Sequence, residues 1–295
     1  MVTRSEIDVL TPHNLAEALE LLHQNGPEVK VVAGGSDVIV QLRDGIIRTT
    51  KLLNLLSLKE LRFIRIAGGQ IHIGALTTYS NLINHDLIRE HAWILVGAAR
   101  QIGAVQLQNT ATIGGNLGNA SPAGDSLPPL YALDATVVTC SKSGEREIPI
   151  ERFFTGYRKL ALGPDELIEE VYFDSLDSDD RGAYLKLGLR EANAISIVDV
   201  AVALRGKRAD NSFAKICVAL GAVAPTIRRA RRCEQALVNK PLTSDILKES
   251  SALAAEDATP IDDIRGSAEY RKEAVVSLVY QALHEAALGK VKAND

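Results

Sequence analysis

Cysteine is scarce in this sequence, and its spacing excludes several kinds of site. The chain of 295 residues has three cysteines, Cys140, Cys217 and Cys233, and no C-x-x-C pair. An odd number without paired spacing argues against a disulfide framework, a structural zinc site and an iron–sulfur cluster held by this chain alone. We interpret the three residues as free, buried thiols of a protein in a reducing cytosol.

Short catalytic and nucleotide-binding motifs are also missing. No two glycines are two residues apart, which excludes the G-x-G-x-x-G turn of Rossmann dinucleotide sites. The phosphate loop G-x-x-x-x-G-K-[ST], the zinc motif H-E-x-x-H and the nucleophile elbow G-x-S-x-G are absent as well. Because the six histidines are scattered, we predict no catalytic side chain and no metal ligand.

Neither sign of charge dominates, and long apolar runs are lacking. The 33 Lys and Arg against 37 Asp and Glu leave a net charge of −4. The chain therefore lacks the excess of basic residues that is typical of nucleic-acid-binding proteins. The dense basic cluster of Arg228, Arg229, Arg231 and Arg232 is interpreted as a solvated helix face. No run approaches the ~20 apolar residues that span a bilayer, and Met1–Glu6 does not resemble a signal peptide. We expect a cytoplasmic protein without a membrane span.

Two glycine pairs in similar surroundings are the most informative feature that is present. They lie in Val31-Val32-Ala33-Gly34-Gly35-Ser36-Asp37 and in Ala111-Thr112-Ile113-Gly114-Gly115-Asn116. Glycine lets bare backbone approach a ligand, and successive N–H groups in such a turn form an anion-binding concavity. Two such loops indicate a ligand with two phosphates. Among diphosphate ligands that glycine loops could hold without a Rossmann motif, flavin adenine dinucleotide (FAD) fits best.

Three polar residues in or near these loops could act on the ligand or on the protein backbone. Asp125 could accept hydrogen bonds from ligand hydroxyls, or it could cap the helix that begins near Ser126. Asn116 could orient its loop or contact a phosphate, or it could form a local Asx turn. We expect the Asp37 side chain to cap the short helix after the first loop, which would aim backbone N–H groups at the anion.

The order of elements predicts a mixed fold. Thr11-Pro12 is typical of a helix start, Val29–Ala33 of a strand, and Ile64–Ile73 of a hairpin. The charged segment Asp174–Arg181 is the best domain boundary. Beyond it, three strands precede two helical stretches near residues 228–238 and 268–288, a pattern that indicates an α+β second domain.

Several motifs together resemble the FAD-binding medium subunit of molybdenum hydroxylases, the xanthine dehydrogenase and carbon monoxide dehydrogenase family. Both glycine loops carry the resemblance. It continues through Asn119–Asp125, Phe153–Lys159, Gly163–Ile168, Ala183–Lys186 and Gly266–Arg271. The order and spacing of these motifs make the signal strong over nearly the whole chain.

The resemblance implies a fold and a cofactor site. The fold would be a two-lobed FAD-binding domain like the p-cresol methylhydroxylase type, spanning residues 1–176 with lobes of about 1–56 and 57–176. A small C-terminal domain of a three-stranded sheet with helices would span residues 182–290. The two loops would hold the pyrophosphate, Asp125 would bind hydroxyls, and Ile168 and Lys186 would lie near the flavin ring. The implied cofactor-binding residues are Val31, Val32, Ala33, Gly34, Gly35, Ser36, Asp37, Thr112, Ile113, Gly114, Gly115, Asn116, Asp125, Ile168 and Lys186.

The resemblance also implies partners. A 2Fe–2S small subunit and a molybdopterin large subunit would complete the complex, as a dimer of heterotrimers, and NAD⁺ is a possible electron acceptor. The chain would then be an electron-transfer subunit, most similar to that of xanthine dehydrogenase. Two other functions stay open from the sequence: a self-sufficient FAD-dependent oxidoreductase of the same fold, and a non-enzymatic nucleotide-binding scaffold.

Overall fold

The computed structural model describes residues 7–288. The N-terminal segment Met1–Glu6, on which the signal-peptide interpretation was based, lies outside the described residues. Residues 289 and 290, the end of the predicted C-terminal domain, also lie outside them. Within residues 7–288, no helix is long and apolar enough to cross a membrane.

The first part of the chain forms a small parallel sheet with helices. Its elements are β1 (Asp8–Leu10), α1 (Leu15–Asn25), β2 (Val29–Val32), α2 (Val38–Arg43) and β3 (Lys51–Asn54). The strand order is β1-β3-β2, with both pairs parallel. The first glycine loop joins β2 to α2 at the carboxyl edge of this sheet, the edge at which open α/β sheets bind ligands. Helix α1 begins later than Thr11-Pro12 predicts, because the Asn14 side chain accepts a hydrogen bond from the Glu17 N–H and caps it there.

The second part combines a five-stranded antiparallel sheet with short helices. The hairpin predicted over Ile64–Ile73 is confirmed as β4 (Ile64–Ala67) and β5 (Gln70–Gly74). The helices are α3 (Tyr79–Asn84), α4 (Asp86–His91), α5 (Trp93–Ala99), α6 (Val105–Thr110), α7 (Ile113–Asn119) and α8 (Leu127–Ala132). There follow β6 (Thr136–Ser141), β7 (Gly144–Pro149), α9 (Ile150–Phe153), β8 (Phe154–Gly156), β9 (Lys159–Leu160) and β10 (Leu167–Asp174). The sheet order is β4-β5-β10-β6-β7, and β8 and β9 form a separate two-stranded sheet.

The C-terminal part forms an antiparallel sheet covered by helices. The three predicted strands are β11 (Arg181–Gly188), β12 (Ser196–Lys207) and β13 (Phe213–Gly221), and they are joined by a fourth, two-residue strand, β14 (Arg228–Arg229). Helices α10 (Arg231–Leu237), α11 (Ser244–Leu253) and α12 (Ala268–Leu288) follow. The mixed α+β fold predicted from the sequence is thereby confirmed.

Strand β12 shows why the C-terminal sheet packs against the rest of the chain. Ala201 and Ala203 on one of its faces belong to the same buried cluster as helices α5 and α8. Val200, Val202 and Leu204 on the other face pack with α12 and its neighbours. Because side chains alternate along a strand, small residues on one face let the helices approach closely while large residues fill the opposite core.

One arginine of the basic cluster is buried, which contradicts the predicted solvated helix face. Arg229 is not on a solvated helix face, because it lies in β14 and is 9% exposed. Its guanidinium donates to Glu234 Oε1 at 2.6 Å and to Asp134 Oδ1 at 2.6 Å. Asp134 follows α8, so this ion-pair network joins the C-terminal sheet to the central part of the molecule.

Candidate functional site

A cavity of 610 Å³ lies between the first glycine loop, helix α7 and the start of β10. This volume is within the range of small-molecule and cofactor sites. Most of the predicted site residues line it: Val31, Ala33, Gly34, Gly35, Ser36, Asp37, Thr112, Gly114, Gly115, Asn116 and Ile168. Val32 and Ile113 are buried beside it and do not line it. The structure thus brings the two loops, which are about 80 residues apart, to one cavity.

The first glycine loop presents unused hydrogen-bond donors. In the described part of the chain, the backbone N–H groups of Gly34, Gly35, Ser36 and Asp37 donate to no other group. Gly35 has φ +72°, a conformation that L side chains rarely adopt. Consecutive N–H groups with one residue in the left-handed region form an anion-binding concavity. The loop is therefore built to hold an anionic group such as a phosphate.

Gly34 and Gly35 are required in this loop for different structural reasons. A Cβ on Gly34 would lie 1.8 Å from the carbonyl oxygen of Thr110, just before the second glycine segment. Gly34 therefore lets the backbones of the two segments touch each other, and only Gly35 is required by the conformation of the loop itself.

The predicted capping role of Asp37 is wrong. Asp37 stands at the N-cap of α2, but its side chain makes no capping bond. Its Oδ1 instead accepts a hydrogen bond from Asn119 Nδ2 at 3.0 Å. The Asp37 carboxylate is therefore bound by the amide of Asn119 in α7 and not by the backbone N–H groups of α2.

The second glycine pair is helical, which changes the role that the sequence predicted for it. Gly114 and Gly115 lie in the first turn of α7, and Thr112 caps this helix by accepting from the Gly115 N–H at 3.0 Å. The N–H groups of Ile113 and Gly114 donate to the carbonyls of Thr77 and Ala75. These N–H groups are satisfied within the protein, so the segment offers surface and side chains to a ligand and no anion-binding concavity.

Glycine on α7 instead makes room. A Cβ on Gly114 would lie 2.6 Å from the Cβ of Ala75, so this residue packs against the chain itself. Gly118 is exposed, lines the cavity, and would meet only the Cδ1 of Ile168, at 3.8 Å, if it carried a Cβ. The absent side chain of Gly118 therefore leaves space for a ligand next to Ile168.

Asn119, at the end of α7, connects three cavity-lining segments. Its Oδ1 accepts from Gln41 Nε2 at 3.0 Å and from Arg158 Nη1 at 3.1 Å, while its Nδ2 donates to Asp37. Arg158 follows β8 in a tight turn with φ +52°. Arg158 and Lys30 are the basic residues of the lining, so this contact brings a guanidinium to the edge of the cavity.

These polar residues were missed as site residues by sequence reasoning. Asn119 and Arg158 do lie within the segments that carried the family resemblance, which was an available signal. Gln41 had no signal, because its partner Asn119 is 78 residues away.

A buried hydroxyl chain fixes Asn116. Tyr79 OH lies 3.0 Å from Ser126 Oγ, which donates to Asn116 Oδ1 at 2.8 Å. Burial raises the pKa of Tyr79 above its usual range. Asn116 therefore orients the loop before α8 from within helix α7, and the Asx-turn alternative is wrong.

Asp125 and Lys186 do not line the cavity, although they are close to each other. Asp125 Oδ2 accepts from Lys186 Nζ at 2.6 Å, and its Oδ1 accepts from Ser196 Oγ at 2.6 Å. Helix α8 has Ser126 at its N-cap and no side-chain cap, so the capping alternative for Asp125 is wrong. Lys186 also donates to the carbonyl of Gln101 at 3.0 Å, next to the lining residue Ile102. The pair thus forms a layer behind one wall of the cavity.

Two family models match the chain. Residues 5–173 match the FAD binding domain in molybdopterin dehydrogenase, and residues 183–286 match the CO dehydrogenase flavoprotein C-terminal domain. Together they include both glycine segments and the C-terminal sheet.

Similar proteins cover nearly the whole chain. The nicotinate dehydrogenase FAD-subunit of Eubacterium barkeri is 34% identical over 276 residues, which is 92% of each chain. The putative xanthine dehydrogenase FAD-binding subunit of Escherichia coli is 34% identical over 275 residues, covering 92% of this chain and 93% of that one. Among solved structures, carbon monoxide dehydrogenase from Hydrogenophaga pseudoflava has a chain with TM-score 0.91 and 28% identity, covering 95% of this chain and 97% of that one.

Proposed function

The chain belongs to the family of FAD-binding medium subunits of molybdenum hydroxylases, and from this premise we propose that it is the subunit that carries electrons through FAD within such a complex. The observation that carries the proposal is the row of unused N–H donors in the first glycine loop, whose residues line a cavity shared with α7. Oxidoreductase chemistry belongs to the family as a whole.

The residues of the cavity fit FAD. The N–H groups of Gly34 to Asp37 would receive the pyrophosphate, which is the strongly anionic part of that cofactor. Arg158 lines the same cavity, and its guanidinium would add a charge-assisted hydrogen bond to phosphate oxygens. Bound FAD would supply the redox chemistry itself, while this chain supplies binding, orientation and electrostatics.

The remaining predicted contacts are part of the proposal. Thr112 to Asn116 would flank the pyrophosphate, with Gly115 as an open surface of α7. Ile168 would pack against the flavin ring, and Lys186 would act from behind the cavity wall. Asp125 does not line the cavity, and we propose that it reaches a ribityl or ribose hydroxyl through the one of its about four acceptor positions that Lys186, Ser196 and Tyr184 leave open.

Electrons would reach the flavin from a partner. We propose that a 2Fe–2S small subunit delivers them from a molybdopterin large subunit, in a dimer of heterotrimers, as in xanthine dehydrogenase-like enzymes. NAD⁺ or another acceptor would receive the electrons, and the cytoplasm is proposed as the location. The related chains from nicotinate and xanthine dehydrogenases support a multi-subunit oxidoreductase.

Flavin binding can be tested with matched glycine variants of the full chain. Gly35→Ala and Gly45→Ala each place a methyl group on a residue with φ of +72° or +71°. Both should lose stability from the strained φ, and Gly35→Ala adds a tight contact of 3.2 Å with Ile39 Cγ1. Of the two residues, Gly35 lines the cavity and Gly45 does not. We expect Gly35→Ala to weaken FAD binding, measured by quenching of flavin fluorescence, and Gly45→Ala to bind as the parent does. FMN, which lacks the diphosphate, should bind the parent chain more weakly than FAD.

Two further outcomes separate the alternatives. Reduction of bound flavin by the isolated chain with a small organic substrate would contradict the electron-transfer role and support a self-sufficient oxidoreductase. Failure of the parent chain to bind FAD, alone and with its partner subunits, would support a nucleotide-binding scaffold. Formation of NADH by the reduced complex, followed by absorbance, tests the acceptor.

A further inference from the structure

A second polar cluster is buried where β11 and β12 meet the loop before α8. It consists of Asp125, Tyr184, Lys186, Ser196 and Asp199. Tyr184 OH lies 3.1 Å from Asp199 Oδ2 and 3.3 Å from Asp125 Oδ1. Of the two carboxyl groups, Lys186 and Ser196 bind that of Asp125. One phenol hydroxyl therefore lies between two carboxyl groups.

The Asp199 carboxyl group is fully buried and lacks one hydrogen-bond partner. It is 0% exposed, and its Oδ1 has no hydrogen-bond partner. A Cβ on Gly221, its neighbour on β13, would lie 2.2 Å from that Oδ1. The absence of a side chain at Gly221 thus makes the space that the Asp199 carboxyl fills.

The protons of the cluster can be assigned from its donors and acceptors. Tyr184 has one hydroxyl proton, so it cannot donate to both carboxylates. If both were ionised, the carboxylate that received no proton would face the lone pairs of the phenol oxygen in a dry interior, which is costly. If Asp199 is protonated at Oδ2, it donates to Tyr184, Tyr184 donates to Asp125, and every contact between them contains a proton.

We propose that Asp199 is a neutral carboxylic acid that donates to Tyr184, and that this pair positions the Asp125 carboxylate and the Lys186 ammonium behind the flavin cavity. The proposal rests on the proposed function, because the cavity wall that Lys186 holds through Gln101 is the wall of the FAD site. Asp199 and Tyr184 are then positioning residues, since neither lines the cavity.

The electrostatic surroundings agree with this assignment. Burial and the nearby Asp125 charge raise the pKa of Asp199 well above its ordinary value. Burial also raises the pKa of Asp125, while the charge of Lys186 opposes that rise. The other charged groups nearby, Arg265 and Arg271, bind the backbone carbonyls of Ser196 and Ala222 and not Asp199.

The sign of the pH dependence follows from a raised pKa. Asp199 is protonated when folded and ionised when unfolded once the pH exceeds about 4. The folded state then binds more protons than the unfolded state, so stability is lost as the pH rises towards the folded pKa. Asn at this position keeps the shape and the donor but does not titrate.

The experiment compares the full parent chain with Asp199→Asn, Tyr184→Phe and Tyr131→Phe. Tyr131 is a buried tyrosine outside the cluster and serves as the matched control. Urea unfolding between pH 5 and 9 should show that the unfolding constant of the parent rises, relative to Asp199→Asn, by up to about tenfold per pH unit. Tyr184→Phe should weaken FAD binding about three- to tenfold, as expected for one lost hydrogen bond. Asp199→Asn, as the conservative replacement, and Tyr131→Phe should retain it.

Each outcome has one meaning. Equal pH dependence of the parent and Asp199→Asn, or a loss of FAD affinity in Asp199→Asn as large as in Tyr184→Phe, would overturn the neutral-donor role. If the parent binds no FAD but its stability still falls with pH relative to Asp199→Asn, the neutral acid stands and the proposed function fails.

Discussion

Gly118 is the position at which one substitution should have opposite effects on folding and on FAD binding. It lies in α7, it is exposed in the cavity, and a Cβ there would meet only Ile168 Cδ1 at 3.8 Å. Gly118→Ala therefore fits the protein without collision. Replacing a helical glycine by alanine stabilises a helix by roughly 0.5–1 kcal/mol. Since Gly118 is close to the end of α7, we expect the lower part of that range.

A larger side chain at the same position should fill the ligand space. Gly118→Leu keeps a good helix former but projects several more carbon atoms into the cavity. Overpacking of a well-packed site costs about 1–3 kcal/mol, which corresponds to a roughly 5- to 150-fold loss of FAD affinity. Gly118→Ala should show a smaller loss of affinity in the same direction.

The assay measures both quantities on the same variants. Thermal unfolding without FAD gives stability, and quenching of flavin fluorescence gives affinity. Gly97→Ala in α5 is the matched control, because its Cβ would make an ordinary 3.6 Å contact with Tyr184 and Gly97 does not line the cavity. Tight FAD binding by a stable Gly118→Leu would refute the reasoning that FAD occupies the space next to α7.

Three further predictions follow from charge and burial. Arg158→Gln should weaken FAD binding about tenfold, the scale of one charge-assisted hydrogen bond, with a smaller effect at high salt, whereas Arg43→Gln outside the cavity should not; equal affinities would contradict the role of the guanidinium. Arg229→Met should lower the free energy of unfolding by about 1–3 kcal/mol, because the buried Glu234 carboxylate loses its guanidinium partner at 2.6 Å and keeps the Val218 N–H and the half-exposed Arg231, while Arg232→Met, which removes an exposed pair, should cost at most about 1 kcal/mol; urea unfolding distinguishes them. The three buried cysteines, whose thiol pKa values burial raises to about 12, should react with a thiol reagent at pH 8 only on unfolding, and rapid labelling of the native chain would contradict their burial.

Elements defined by local pattern were predictable. The hairpin at β4 and β5, the short helix after the first glycine loop and the three long C-terminal strands follow from side-chain periodicity and turn residues near one another in sequence. The Asp37 side chain, which was predicted to cap α2, shows the limit of predictions from local sequence. Its partner, Asn119, is 82 residues away, and no local rule includes such a competitor.

The second glycine pair shows the same limit for the site. Its composition resembles the first loop, and its local chemistry allows an anion-binding turn. The N–H groups of Ile113 and Gly114 are instead used by the carbonyls of Thr77 and Ala75. Buried N–H groups in proteins are nearly always paired with an acceptor. Whether such an N–H group is left over for a ligand therefore depends on which distant segment packs against it.

The sequence by itself determined the class of the protein: its missing motifs argued against a Rossmann or phosphate-loop site, and its glycine loops and later motifs indicated the flavoprotein family. The tertiary structure alone decided which donors remain free at Gly34 to Asp37, how Asn119 brings Arg158 to the cavity, and that Asp199 shares Tyr184 with Asp125. The physical reason is that residue type and local periodicity depend on neighbours in the chain. Desolvation, pairing of charges and the fate of each hydrogen-bond donor depend on neighbours in space.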